Sequence, residues 1–426
     1  MQLTLARHPI TEIQFGAQTR LDRTTLVVDP TELRRLVRED EAVENIDFEI
    51  VRPGESCRAG PIFDIVQPRA KEPGSSPDFP GILGPPTSAG MGTTHVLEGA
   101  AVSILAERSP GESRSVTGRV LEMSGSAAES TVYSLLQHLV VIPHTRKGLP
   151  IHVIDKAYRI AGLKISVYLG RAALTHNAAS TYTFDPVGPN EGGRDGLPRF
   201  AYVGQIFSRQ RKPAVDEPIL YGANTEGMLP VLLHPDEWLD GAIVPSLQSW
   251  FGGTETYFYQ NHPVILELYR RHQAREINFV GTIATIAGAD NSDRERHCQA
   301  AANLVKWNLK ADAVALTKWG GGLPHADLAE TARLLEGTGI RTAVMVSDMS
   351  KDRRVESALL FNFPAVNAIV YNGGSGTQWE IPRVERLITA TPELGDLLAG
   401  PMLIGAWNVV GVTNQQGASR MRALVY

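Results

Sequence analysis

A chain of 426 residues exceeds what one hydrophobic core usually organises, so two or three domains are expected. Its 43% hydrophobic and 20% charged content is that of a globular protein, and a net charge of −5 with no Lys/Arg cluster excludes the basic field that nucleic acid requires. Two cysteines exclude a disulfide framework, the first residues lack an apolar core of signal-peptide length, and no run approaches a membrane span, so a cytoplasmic protein is expected.

The N-terminal region predicts short strands and one helix. Leu26-Val27-Val28 leads into a helix with Asp29 as cap, Pro30 in the first position and Glu32 completing a capping box, ending near Glu39-Asp40. Ile46 to Val51 alternates as a half-buried strand. Residues 71–92, rich in Pro, Gly and Ser, predict a long surface loop. Strand-like segments follow at His95–Leu105 and Arg114–Met123, then a helix at Lys156–Leu174 and a polar loop at Asp185–Arg199.

From Phe200 the pattern changes to strand–helix alternation. Strands are predicted at Phe200–Ile206, Ile277–Ile286, Ala313–Leu316, Thr342–Val346, Ala368–Tyr371 and Met402–Val410, with helices at Asp293–Leu309, Ala326–Leu335 and Arg383–Thr389. The fold class is α/β: a β-rich N-terminal region followed by a mainly parallel, βα-alternating C-terminal region with helices on both faces. The expected division is a β-rich domain over 1–145, an α/β segment over 146–244, a loop over 245–260 and an α/β domain over 261–426.

Three predicted strands end in small polar loops, Lys318-Trp319-Gly320-Gly321-Gly322, Ser347-Asp348-Met349-Ser350 and Asn372-Gly373-Gly374-Ser375. Strand carboxyl ends are where open α/β sheets bind ligands, which makes Lys318, Gly320, Gly321, Asp348, Asn372, Gly373 and Gly374 candidates. Glycines are equally what tight connections require. No dinucleotide fingerprint, P-loop or Gly-x-Ser-x-Gly elbow is present, so a nucleotide-dependent enzyme or hydrolase has no motif to stand on. Eleven histidines form no His-Glu-x-x-His and no close triad, and no metal is expected. Cys298 reads as a small core residue, while two arginines close to Cys57 in sequence could lower its thiol pKa.

The segment 245–256 is different in kind, with Ser246, Ser249, Thr254 and Thr256 between two well-patterned regions. A hydroxyl there could attack its preceding carbonyl and eliminate to a keto acyl group, an electron sink for amines. An ordinary connection between domains is the other reading.

Several strings carry a family resemblance: Arg52-Pro53-Gly54-Glu55-Ser56, Thr94-His95-Val96-Leu97 with Gly99-Ala100-Ala101-Val102, and Ala161-Gly162-Leu163-Lys164 with Tyr168-Leu169-Gly170. Asp240-Gly241-Ala242-Ile243-Val244, Gln260-Asn261 with Pro263-Val264-Ile265, and Ile277-Asn278-Phe279-Val280-Gly281 complete the set. Together they resemble the large proprotein subunit of protein B of the glycine, sarcosine and betaine reductase complexes, and more distantly the D-proline reductase proprotein. The resemblance implies cleavage just after the Gly-Ala-Ile-Val string, where a cysteine becomes an N-terminal pyruvoyl group that engages the substrate amine. It also implies a cysteine- or selenocysteine-containing small subunit as partner in a hetero-oligomer, a small-molecule substrate, and reducing equivalents from thioredoxin.

This chain departs at the decisive residue, since no cysteine lies between Val244 and Tyr257. A pyruvoyl group could come only from serine, with Ser249 or Ser246 as the source, and serine is the poorer nucleophile. An intact chain is therefore expected, assisting thiol- or selenol-dependent reductive cleavage of a C–N or related bond in a small amine without a certain cofactor. The alternative is an uncleaved, non-catalytic scaffold or substrate-binding subunit. In either case Trp250, Tyr257, Tyr259 and His262 are candidates to line a pocket for a cationic amine, Gln260 and Asn261 to orient a carboxylate or amide, and Glu226 to handle protons. Core packing at a domain junction is the competing reading of the aromatics. No nucleic acid and no membrane is expected as partner.

Overall fold

The structure, a computed structural model, describes residues 1–425 apart from 39, 108–117, 191–195, 207–216, 248–254, 289, 349–362, 375, 418–419 and 422. Two four-stranded sheets dominate its N-terminal part. One orders Ser180–Thr183, Leu3–Pro9, Gly92–Glu98 and Arg69–Lys71; the other orders Val43–Val51, Gln137–Thr145, Ala100–Leu105 and Ile62–Val66. The predicted segment His95–Leu105 is thus two strands in two sheets, broken at Gly99. That residue has φ +91, and a Cβ there would lie 2.6 Å from the Ile10 carbonyl oxygen, so only glycine makes the turn.

The helix Ile151–Arg171 lies across these sheets. Its Ala157, Ala161, Ile165 and Leu169 recur at helical spacing and are buried in the same core as Val66, Ile104 and Leu139. The Asp29 side chain caps the Pro30–Val37 helix by accepting from Thr31 N. Glu32 does not complete the expected capping box; it accepts from Tyr168 OH at 2.6 Å and Thr19 N at 3.3 Å, tying this helix to the longer one.

The C-terminal part is built on a seven-stranded sheet. Five strands run parallel in the order Asn278–Thr285, Arg199–Gln205, Ala313–Thr317, Arg341–Asp348, Ala368–Gly374, and antiparallel Val231–Leu233 and Ala423–Val425 close the edges. Period-two alternation separates two cores. Tyr202 faces Ile265, Leu268 and Tyr269 of the Pro263–Gln273 helix, whereas Ala201 and Val203 face Ala302 of Asn291–Asn303 and Leu328, Ala332 and Leu335 of Leu323–Glu336. Helices cover both faces, and the parallel strands accordingly read as apolar runs.

Some expectations need correction. Met402–Val410 is no strand of the large sheet; Met402–Gly405 pairs antiparallel with Gln378–Ile381, and a 3-10 turn follows at Ala406–Asn408. The helix expected at Arg383–Thr389 is a strand, Arg386–Ile388, pairing parallel with Cys57–Ala59 in the N-terminal part. At Arg386–Ile388 a partner strand distant in sequence overrides local propensity. Asn372, Gly373 and Gly374 extend their strand rather than form its loop. The 71–92 loop is not purely a surface feature: Phe79 and Ala89 are buried, and Gly81 packs on the Tyr221 backbone. Residues 114–117 of one predicted strand lie outside the described residues. Among those described, no helix is long and apolar enough to cross a membrane.

Candidate functional site

The residues around the expected processing segment are held by a series of buried ion pairs. Asp240, at the head of the Gly-Ala-Ile-Val string, accepts from Lys71 Nζ at 2.6 Å, Thr94 Oγ1 at 2.8 Å and Gly90 N at 2.9 Å. The string that follows is buried through Leu247. Ser246 is fully buried and its Oγ donates to Glu217 Oε2 at 2.5 Å. Sequence reading found no base for this hydroxyl; the structure supplies a carboxylate.

The far side of the segment is tied as firmly. Buried Glu255 pairs with Arg119 and accepts from Tyr133 OH at 3.3 Å; burial pushes its carboxyl up while Arg119 pulls it back. Thr256 donates from N and Oγ1 to the two oxygens of Asp64, at 2.8 and 2.7 Å, and Arg159 closes this group by pairing with Asp64. Gln260 Oε1 accepts from Gln67 N at 2.8 Å, and Asn261 Nδ2 donates to Gln67 Oε1 at 3.2 Å.

His262 joins this region to the large sheet. It caps the Pro263–Gln273 helix, with Nδ1 accepting from Ile265 N at 3.5 Å, so Nε2 carries the proton toward Tyr202 OH at 3.1 Å. Burial pushes its pKa down to about 3, and it stays neutral. Tyr202 OH in turn lies 2.6 Å from Thr317 Oγ1, one residue before Lys318. Tyr259 and His262 pack with Trp238 and Tyr202 in an aromatic cluster, ring centroids 5.1–6.4 Å apart. Tyr257 is half-buried against Tyr133, and burial pushes its phenol up to about 12.

At the carboxyl end of the sheet, a buried strip spanning residues 413–416 crosses the strand ends. Asn372 Nδ2 donates to the Asn414 carbonyl, Gln416 Nε2 to the Gln205 carbonyl at 2.7 Å, and Gly320 N to Gln415 Oε1 at 2.6 Å. Lys318, 1% exposed, donates among the described residues only to the Gly320 carbonyl, at 2.6 Å. Burial alone lowers its pKa to about 8.

The structure therefore brings Tyr257, Gln260, Asn261 and His262 onto one polar seam, with Tyr259 packed in the aromatic cluster beside it, and that seam reaches the Lys318–Gly320–Asn372 strand ends, while Ser246 is held by Glu217. Glu226 stands apart, exposed on a turn where its N–H bonds Asn224. Ser249 and Trp250 lie outside the described residues. Gly321 precedes the Leu323–Glu336 helix; Asp348 closes its strand, and Gly373 and Gly374 lie within theirs. Sequence reading missed Asp64, Arg119, Arg159, Glu217 and Glu255, whose partners are 29 to 192 residues away and leave no local signal. The amide run Asn414-Gln415-Gln416 was a visible signal that went unused.

No thiol belongs to the seam. Cys57 lies on its own strand and Cys298 in a helix, and burial pushes both up to about 12. The expected activation of Cys57 by neighbouring arginines is therefore reversed, and Arg58 is taken up by Glu122. Among the described residues no group of His, Cys, Asp and Glu is arranged to hold a metal ion. A cysteine-derived pyruvoyl group does not fit these residues.

Glycine/sarcosine/betaine reductase component B subunits match residues 1–410. The chain is 30% identical, over 100% of both sequences, to glycine reductase complex component B subunits alpha and beta of Acetoanaerobium sticklandii. It is 28% identical to the betaine reductase complex component B subunit alpha of Peptoclostridium acidaminophilum, over 96% of this chain and 91% of that one. The sarcosine reductase counterpart of the same organism is 27% identical over 94% and 92%. No solved structure matches. By a family match across nearly its whole length, the chain belongs to the glycine/sarcosine/betaine reductase component B subunit family.

Proposed function

We propose that the chain works uncleaved as the substrate-handling subunit of a reductase complex, without a cysteine-derived pyruvoyl group. It pairs with a small subunit carrying a cysteine or selenocysteine, whose thiolate or selenolate attacks the carbon bearing the nitrogen of a small amine or amino-acid-like substrate; a C–S or C–Se bond forms as the C–N or related bond breaks and the protonated amine leaves, and a thioredoxin-type dithiol supplies the two electrons of the net reduction. The observation that carries this reading is a whole-length family match in a chain whose cleavage region contains no thiol. The chain's own residues then bind and orient: Lys71–Asp240 and Glu217–Ser246 hold the upstream end of the loop, the Asp64–Arg159–Thr256 and Arg119–Glu255 groups its downstream end, and half-buried Tyr257 and Asn261 supply an aromatic and an amide group to the substrate. Purification of the complex from the native host tests it. A thiol- or selenol-bearing small subunit should co-elute, and reductase activity should require both chains; elution of this chain alone, with no such partner, would remove the basis of the proposal.

A second reading, self-cleavage at the Pro245–Ser246 bond, is favoured by one observation, the Glu217 carboxylate 2.5 Å from Ser246 Oγ. A positioned base is the first requirement of hydroxyl activation. Against it stands the complete burial of Ser246. Glu217→Gln separates the two readings: self-cleavage predicts that this variant blocks fragment formation, and the intact-chain reading predicts no fragments to block.

A further inference from the structure

Lys318 has the fewest partners of the buried cations of this seam described above; Arg69, which also lacks a carboxylate, donates to three neutral acceptors. Arg119, Arg159 and Lys71 each have a carboxylate within ion-pair distance; Lys318, equally buried, has one backbone carbonyl and no counter-charge among the described residues. Buried charges are ordinarily paired, because desolvation of an isolated ammonium is not offset by a single neutral hydrogen bond. Its lowered pKa of about 8 still leaves the ammonium form dominant at neutral pH.

The groups beside it are also incompletely used. Gln415 accepts from Gly320 N through Oε1, yet its buried Nε2 has no partner, and neither does the buried indole N–H of Trp319. The Leu323–Glu336 helix begins at Gly322, which has φ +67, no side-chain cap, and open space where a Cβ would stand. Pro324 has no N–H, and His325 N and Ala326 N donate to the Gly322 carbonyl at 3.1 and 3.0 Å, so Leu323 N–H is the donor at this start without a side-chain acceptor, at the end where the macrodipole favours negative charge. One unpartnered acceptor faces the same turn: Gln205 donates through Nε2 to the Pro324 carbonyl at 3.1 Å, leaving its buried Oε1 unbonded.

We propose that the carboxyl end of the parallel sheet beside Lys318 binds a small anion, the carboxylate of an amino-acid-sized molecule or inorganic phosphate, with the Lys318 ammonium as its counter-charge. Gln415 Nε2 and the Leu323 N–H donate to the anion. Gln205 Oε1 accepts an N–H of the same molecule, which favours the amino-acid-type carboxylate over phosphate. The site is independent of whether the chain is cleaved or assembled with a partner.

The test uses the full chain, its Lys318→Met and Lys318→Gln variants, and three probes: glycine, acetate and inorganic phosphate, each against chloride at equal ionic strength. Calorimetric titration should show saturable binding of glycine or acetate by the wild type, weakened at least tenfold in both variants, with a ligand-dependent rise in Tm that the variants lose. Binding of phosphate alone with the same lysine dependence would assign the site to phosphate. The free Lys318→Met protein should melt no lower than the free wild type, because it no longer buries an unpaired charge. A lysine serving only as a strut to the Gly320 carbonyl gives the opposite result: a lower Tm for the ligand-free variant and no lysine-dependent binding of any probe. That outcome, or binding undiminished in both variants, would overturn the proposal.

Discussion

The two ends of the polar seam differ in how completely their charges are answered. Around residues 240–262 three buried cations meet carboxylates, Lys71 with Asp240, Arg159 with Asp64 and Arg119 with Glu255, and a fourth, Arg69, donates to the Leu239 carbonyl at 2.9 Å, the Gln260 carbonyl at 3.4 Å and Gln67 Oε1. At the strand ends Lys318 meets only a carbonyl, and Gln415, Trp319 and Gln205 keep unpartnered atoms. Unpartnered atoms occur at both ends, Arg69 Nε and Arg159 Nε and Nη2 among them, so the difference lies in the charges: Lys318 has a single neutral acceptor among the described residues. The segment where the family resemblance implies cleavage, and where this chain has no cysteine, is thus in its described residues the end whose charges are more fully paired, and the strand ends are the less paired one.

The largest effect should come from breaking the more fully paired end. Asp64→Ala strands Arg159 in the interior and removes both acceptors of Thr256, so urea denaturation should show a loss of about 3–5 kcal/mol. A loss below about 1 kcal/mol, the range of exposed pairs, would remove the contrast between the two ends. At the less paired end Lys318→Met should instead leave the ligand-free chain as stable or add roughly 1–4 kcal/mol, as replacing a buried charge by a well-packed apolar group often does. Lys318 titrates at about 8 in the fold and at 10.5 in a free chain, so between these values the unfolded state holds the extra proton. Wild-type stability relative to Lys318→Met should therefore rise from pH 8 to pH 10, measurable by denaturation at both ends of that interval.

His262 tests the junction. Its pKa is about 3 in the fold against 6.5 in a free chain, so the unfolded state gains a proton as pH falls below 6.5 and the fold loses stability down to about pH 3. His262→Gln should cost about 1 kcal/mol at pH 7.5 through the bond to Tyr202, and that deficit should shrink or reverse near pH 5. A deficit constant with pH would mean that the imidazole is protonated in place. The smallest effect belongs to Glu226→Gln, at an exposed turn outside the seam, which should stay within about 0.5 kcal/mol and leave ligand binding unchanged.

The parallel sheet was legible in the sequence because its strands are buried on both faces and flanked by helices whose apolar stripes repeat at 3.6 residues. Arg199–Gln205, Asn278–Thr285 and Ala313–Thr317 lie within a residue of their expected bounds. Arg386–Ile388 was not legible, because only its pairing with Cys57–Ala59, more than 300 positions away, makes it a strand. The same holds for the site. Lys318 and the glycines after it stand out at a strand end, and Gln260, Asn261 and His262 lie in a recognisable string. Glu217, Asp64 and Arg159 become functional neighbours only when the chain folds, and an isolated charged residue in sequence gives no sign of being buried.

The account rests most heavily on the bond between Val244 and Tyr257 that its relatives' pattern implies and this chain's residues do not support. The direct measurement is the intact mass of the protein purified from its own host under denaturing conditions, with and without hydroxylamine. A single uncleaved species that contains both sides of the 245–256 segment, unchanged by hydroxylamine, is the predicted result. Two fragments meeting at Ser246 or Ser249, the downstream one gaining mass with hydroxylamine, would contradict it.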